Sequence, residues 1–209
     1  MIFYIPIVLV HILSSLTRDV YVKPFILICL LSYLFFLSAF KYYVGSDYVN
    51  YQGFYEQIIS GTGIRTPTNY GYVLVNKLAH LLFDNYQGVH VIVSAINVLA
   101  LSLYIFKCRL NYYSQLFLIL FFFIIASFGY LRQGCALSFI LLFEVFRNSK
   151  IKYFFFILSL SFHISAIIYW YVNLLIFHFD NNSQQFKVRS KTRLLIAIIG
   201  SAGCIYIAL

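Results

Sequence analysis

The sequence predicts an all-α, polytopic transmembrane helical bundle of about six to seven hydrophobic spans, with an external loop and an amphipathic helix between the second and third. Three observations carry that prediction. Of 209 residues 62% are hydrophobic and only 10% are charged, against about 25% charged in an average soluble domain. The chain holds 23 Phe and 19 Tyr, more apolar surface than a compact globule of this length can hide from water. Apolar runs recur along its whole length, at 3–17, 24–40, 89–106, 112–130, 133–146, 153–177 and 194–209, and a helix of about 20 residues, or 17 when short, crosses a bilayer.

The first run lacks the basic leader and small-residue cleavage site of a signal peptide, since Met1 is followed at once by Ile2, Phe3, Tyr4 and Ile5. It reads as a retained anchor. The runs 112–130 and 133–146 are separated only by Leu131 and Arg132, which predicts a tight hairpin bending near Gly129 or Gly134, with Arg132 at a membrane boundary. The run 153–177 is long enough to cross with tilt, but His163 interrupts its middle, which predicts a broken or re-entrant helix. A single transmembrane domain spans 1–209. Because Leu209 lies inside an apolar run, the chain is expected to be incomplete at its C-terminus.

The net charge of +9 does not point to nucleic acid, because the basic residues punctuate apolar runs and serve as topology signals. Arg18 and Lys23, Lys107 and Arg109, and Arg147, Lys150 and Lys152 mark three loops for the cytoplasm. The N-terminus, the segment 42–87 and the Arg132 turn then fall outside. A single crossing at 153–177 leaves Lys187, Arg189, Lys191 and Arg193 outside as well, so either that run returns as a hairpin or those charges form an external basic patch for an anionic ligand. The cysteines Cys29, Cys108, Cys135 and Cys204 have neither metal-knuckle nor disulfide spacing and count as small apolar residues.

The segment 42–87 is the one stretch that is neither apolar nor of low complexity, and function is expected there. Tyr72–Phe83 has apolar residues at helical spacing with Lys77 on another face, an amphipathic helix lying on the outer membrane surface. Asp47 precedes Tyr48, Tyr51 and Tyr55. It reads as a helix N-cap and equally as a general base in a cleft walled by tyrosines, a surface that suits sugar faces. Arg132, followed by Gln133, either snorkels at the boundary or clamps phosphate through its planar fork. His163 is either a neutral ring bonded to nearby backbone or a site residue. Glu144 lies near Arg147 and is read as a boundary ion pair or a snorkelling side chain rather than a catalytic group.

There is no DxD, HExxH, GxGxxG, P-loop or GxSxG pattern. With six acids in the chain and none closely paired, no metal or other cofactor is expected, and chemistry on phosphate would lean on Arg and Lys.

Four segments in order, Val44–Tyr51, Pro67 with Gly71–Leu78, Arg132-Gln133, and His163-Ile164-Ser165-Ala166, resemble the EpsG family of multispanning bacterial polysaccharide proteins. The resemblance runs from about 40 to 175. It implies a polymerase of lipid-linked oligosaccharide repeat units, similar to the Wzy type, in the bacterial inner membrane, acting on surface polysaccharide such as O-antigen, capsule or exopolysaccharide. Its implied substrate is a polyprenyl-diphosphate-linked oligosaccharide, and its implied partners are membrane lipids and other polysaccharide assembly proteins, with no nucleic acid. Asp47, Arg132 and His163 carry over as catalytic positions, Asp47 as base and His163 as a diphosphate or acceptor contact. Tyr48, Tyr51, Arg65 and Gln133 are the expected substrate contacts, Arg65 as helper to Arg132. This chain departs from the family where Thr68-Asn69-Tyr70 supplies no acid before the second motif, and in being shorter than most members. The rival readings are a flippase or transporter component and a membrane acyltransferase modifying the glycan.

Overall fold

The structure, a computed structural model, describes residues 22–44, 47–62, 70–108, 110, 112–122, 130–169 and 171. Among them every regular element is helical: α1 (Val22–Ala39), α2 (Tyr48–Ser60), α3 (Tyr70–Phe83), α4 (Gln87–Cys108), α5 (Tyr112–Phe121), α6 (Leu131–Val145) and α7 (Lys152–Phe162). The expected runs at 3–17 and 194–209, and Arg65, lie outside the described residues.

Helix α4 is the centre of the bundle, packing against α1, α3 and α6, while α7 closes against α6 and α3. At 22 residues it is the one described helix long and apolar enough to cross a membrane, about 33 Å at the standard rise. Helices Pro24–Ala39 and Lys152–Phe162 are apolar but shorter. Much of the outward surface is apolar, with Phe25, Ile28 and Phe36 on α1, Leu99, Leu103 and Phe106 on α4, and Phe154 and Ile157 on α7 all exposed. Such a surface suits a hydrocarbon solvent.

Two apolar clusters divide the core along the bundle axis. One gathers Leu30, Leu34, Leu101, Ile105, Ile119, Leu141 and Val145. The other gathers Tyr48, Tyr51, Tyr55, Tyr72, Tyr86, Val89, Leu131, Cys135 and Phe162, and its tyrosines make it the polar end. Between the clusters, Ser138 on α6 donates to the Asn97 Oδ1 on α4 at 2.7 Å, both side chains buried.

The sequence placed a bend near Gly129 or Gly134. Gly134 instead lies inside α6, its N–H donating to the Tyr130 carbonyl at 2.8 Å, because Tyr130 is already extended and the helix starts at Leu131; Gly129 is outside the described residues. Arg132 therefore sits in the first turn of α6. The expected interruption at His163 is present: α7 ends at Phe162, His163 is extended at φ −157, ψ 132, and the chain turns before a short helical segment at 166–169. The amphipathic helix is α3, but its inner face, with Tyr72, Val75, Asn76 and Ala79 buried, packs on α4, α2 and α7. Leu74, Leu81 and Leu82 point outward.

Candidate functional site

Helix α2 brings the site its aromatic wall. Tyr48, Tyr51, Tyr55 and Ile58 are its buried residues, and their helical spacing turns all four toward the bundle. Gly61 ends the helix in the left-handed conformation, φ +72, which a residue without Cβ adopts freely. Asp47 stands at the N-cap position, yet its side chain makes no capping hydrogen bond. Its carboxylate is instead an electrostatic neighbour of the Tyr51 phenol.

Arg132 reaches the same phenol from α6. Its guanidinium carbon lies 5.6 Å from the Tyr51 ring centre and 5.8 Å from that of Phe54, within the range of cation–π attraction. Burial pushes the Tyr51 phenol above its ordinary value, and the guanidinium, by a side-chain hydrogen bond and by its charge, opposes that rise. The guanidinium is also an electrostatic neighbour of Tyr72 and of His163. Asp47, Tyr51, Arg132 and His163 thus converge from two helices and a helix break, although 85 residues separate Asp47 from Arg132 (132 − 47).

The ring of His163 is oriented by its own turn. The Ser165 backbone N–H donates to Nδ1 at 3.2 Å, and the Ser165 hydroxyl lies 2.7 Å from the same nitrogen. An Nδ1 that accepts leaves the ring proton on Nε2 in the neutral tautomer, so the second nitrogen is a donor. The sequence left His163 open between a backbone-bonded ring and a site residue, and it is bonded to its turn while facing the Arg132 charge.

Tyr48 lies on the far side of α2's wall, parallel to the His90 ring at 5.4 Å between centres and 10° between planes. Tyr86 meets His90 edge-on at 4.8 Å and 72°, and Tyr51 meets Tyr72 at 5.5 Å. Burial pushes the Tyr72 and Tyr86 phenols upward, so both remain protonated hydrogen-bonding groups. Lys41, 6% exposed, lies within electrostatic reach of His90, and burial lowers its ammonium to about 8. Gln87 donates to the Ala39 and Lys41 carbonyls, tying this loop to α4. Gln133 is half-buried next to Arg132, with its side-chain oxygen enclosed. Arg65 cannot be placed with this group, being outside the described residues.

The sequence reading missed Lys41, Tyr72, Tyr86 and His90. One signal for His90 was available: His90, Ser94 and Asn97 recur at helical spacing in an otherwise apolar run, and all are buried on one face of α4. Glu144, expected as a boundary ion pair, accepts instead from the Tyr169 hydroxyl at 2.8 Å. It belongs to the opposite end of the bundle, where Lys107 lies 4.8 Å from the Phe146 ring centre.

Among the described residues, no three His, Cys, Asp or Glu side chains come together as metal ligands. The assembled groups are instead a fixed cation, a carboxylate, a donor imidazole and a field of phenols. Such a set can neutralise a phosphate, receive a proton and hydrogen-bond a sugar. The model of the EpsG family matches residues 2–208 of the chain. No curated protein and no solved structure matches it.

Proposed function

The chain belongs to the EpsG family, a Wzy-like polymerase family, and from that membership we propose that it polymerises lipid-linked oligosaccharide repeat units by glycosyl transfer from a polyprenyl-diphosphate donor. The single observation that carries the reading is the convergence of Asp47, Tyr51, Arg132 and His163 at the tyrosine-rich end of the bundle. On this reading the chain is a multi-pass inner-membrane protein. Its lipid lies along the apolar outer surface, and its sugar meets the tyrosine-rich end of the bundle, where α2, α3 and the ends of α4, α6 and α7 come together.

In the reaction, the acceptor hydroxyl oxygen bonds to the donor's anomeric carbon and the bond from that carbon to the diphosphate oxygen breaks. Asp47 receives the hydroxyl proton. The diphosphate leaves with the electron pair of the broken bond, and Arg132 stabilises the charge growing there through bidentate hydrogen bonds. His163, oriented by Ser165, donates from Nε2 to the same leaving group. The uncapped carboxylate of Asp47 supports its role as base, because a carboxylate bound to backbone N–H groups would be a poor proton acceptor. Tyr48 and Tyr51 offer sugar-facing surface, and Gln133 and Arg65 complete the expected contacts.

The test is reconstitution with a purified polyprenyl-diphosphate repeat unit, reading product length on a gel. Wild type should give a ladder. Arg132→Ala should lose on the order of a hundredfold in rate, the usual loss for one charge-stabilising contact. Arg132→Lys should restore little of it, because an ammonium lacks the planar fork. A ladder of normal length and rate from Arg132→Ala sinks the clamp. Movement of the lipid-linked unit across the bilayer with no change in length would instead identify a carrier.

A further inference from the structure

Polar atoms that the protein leaves without a hydrogen-bond partner gather beside the site. Among the described residues, the Tyr86 hydroxyl, the Asn76 side-chain oxygen, both ring nitrogens of His90 and the Gln133 side-chain oxygen are buried with no partner, and the Tyr72 hydroxyl beside them has Asn76 as its side-chain hydrogen-bond neighbour. Native proteins pair nearly all such atoms, so their concentration at one end of the bundle calls for a ligand. Tyr86 is an electrostatic neighbour of Tyr72, Tyr48 and Tyr51, which joins this group to the wall that Arg132 contacts. None of Tyr72, Tyr86 and His90 is used in the chemistry above.

The hydrogen-bonding capacities select the ligand class. A neutral imidazole offers one donor and one acceptor, a phenol offers both, and an amide oxygen only accepts. An anion, which can only accept, leaves the imidazole nitrogen and the amide oxygens unmet. A neutral polyol donates and accepts at every hydroxyl, and the face of Tyr48 turned away from His90, which Tyr43 covers, suits the C–H face of a sugar ring. Tyr42 and Tyr43 are exposed beside this group. Tyr43 stacks on Tyr48 at 5.0 Å, and it holds a left-handed backbone, φ +50, that residues with a Cβ rarely adopt.

We propose that His90, Tyr86 and Tyr72 form a sugar subsite, taking the hydroxyl groups of the ring adjoining the diphosphate once Tyr43 and Tyr42 swing aside. This rests on the reading of the substrate as a lipid-linked glycan. It assigns glycan recognition to α3, α4 and the turn between them, and leaves the diphosphate to α6.

The experiment measures binding to the full chain in lipid nanodiscs with two probes: undecaprenyl diphosphate alone, and the lipid-linked repeat unit purified from the producing cell. Tyr86→Phe, Tyr72→Phe and His90→Phe should each weaken binding of the glycan-bearing probe tenfold or more while leaving the bare diphosphate unchanged. The thermal midpoints of Tyr86→Phe and His90→Phe should not fall, because neither substitution removes a hydrogen bond made within the protein. Equal weakening of both probes overturns the assignment, and no change with either probe means that internal water fills the niche. Wild type binding both probes equally also overturns it. If wild type prefers the glycan-bearing probe but forms no longer product, the subsite stands and the polymerase reading falls.

Discussion

Asp47 stands at the start of α2. The position is a helix N-cap, but the side chain makes no capping bond. Losing a working cap costs about 1 kcal/mol. Asp47→Ala should therefore shift stability by less than about 0.5 kcal/mol, measured as a thermal midpoint in detergent, while Asp47→Asn should abolish elongation. A large loss of stability in Asp47→Ala would return the residue to a structural role. Lys41 gives a pH signature. Its ammonium is lowered by burial from 10.5 to about 8, so between those values the unfolded chain binds more protons than the folded one. Stability should accordingly rise as pH climbs from about 8 toward 10.5, and Lys41→Met should flatten that rise; equal slopes for the two proteins would refute it. Asp47, Arg132 and His163 stood out in the sequence as candidates because each is a polar exception with a motif around it. His90 was not, because it opens an apolar run, and only the packing of Tyr48 and Tyr86 against it separates it from an ordinary buried histidine.

At the scale of elements, the site depends on how closely α3 approaches α7. A Cβ on Gly71 would come within 2.5 Å of the Phe162 ring and of the Ser161 hydroxyl, so α3 fits only because that position is bare. Gly71→Ala should destabilise by about 1–3 kcal/mol, and Phe162→Leu in the same chain should recover part of that loss, as a double-mutant cycle followed by thermal unfolding would show. Additive losses would place the strain elsewhere. Helical periodicity announced α2 and α3, and a polar residue inside an apolar run announced the break at His163. Of the two bend positions the sequence offered, Gly134 lies inside α6, and the helix begins after extended Tyr130, next to Gly129. Glycine in a helix costs roughly 1 kcal/mol and does not by itself end one.

Across the whole molecule, composition identified the solvent before any element was assigned, since a chain with 10% charged residues has little else to offer water. What composition did not reveal is which tyrosines share a wall, because that follows from packing between helices distant in sequence. Basic residues crowd one end of the bundle: Lys107 stands in the last turn of α4, Arg147 and Lys150 follow α6, and Lys152 begins α7, while Arg132 lies at the tyrosine-rich end. With basic loops held in the cytoplasm, a Cys at position 149 should label only from inside and one at position 60 only from outside, in a background without native cysteines. Labelling of both from one face would refute this topology.

The hydrogen bond between Ser138 and Asn97 has a further consequence. It lies six residues along α6 from Arg132 (138 − 132) and seven along α4 from His90 (97 − 90), or about 9 and 10 Å of helix rise. The guanidinium and the imidazole are thus borne at nearly the same height by two rods pinned at a common point. Sliding either rod by one turn would break the pin and offset the two groups by about 5 Å. The pair acts as a caliper of fixed opening, holding the heights of the guanidinium and the imidazole to one another whatever the rest of the bundle does.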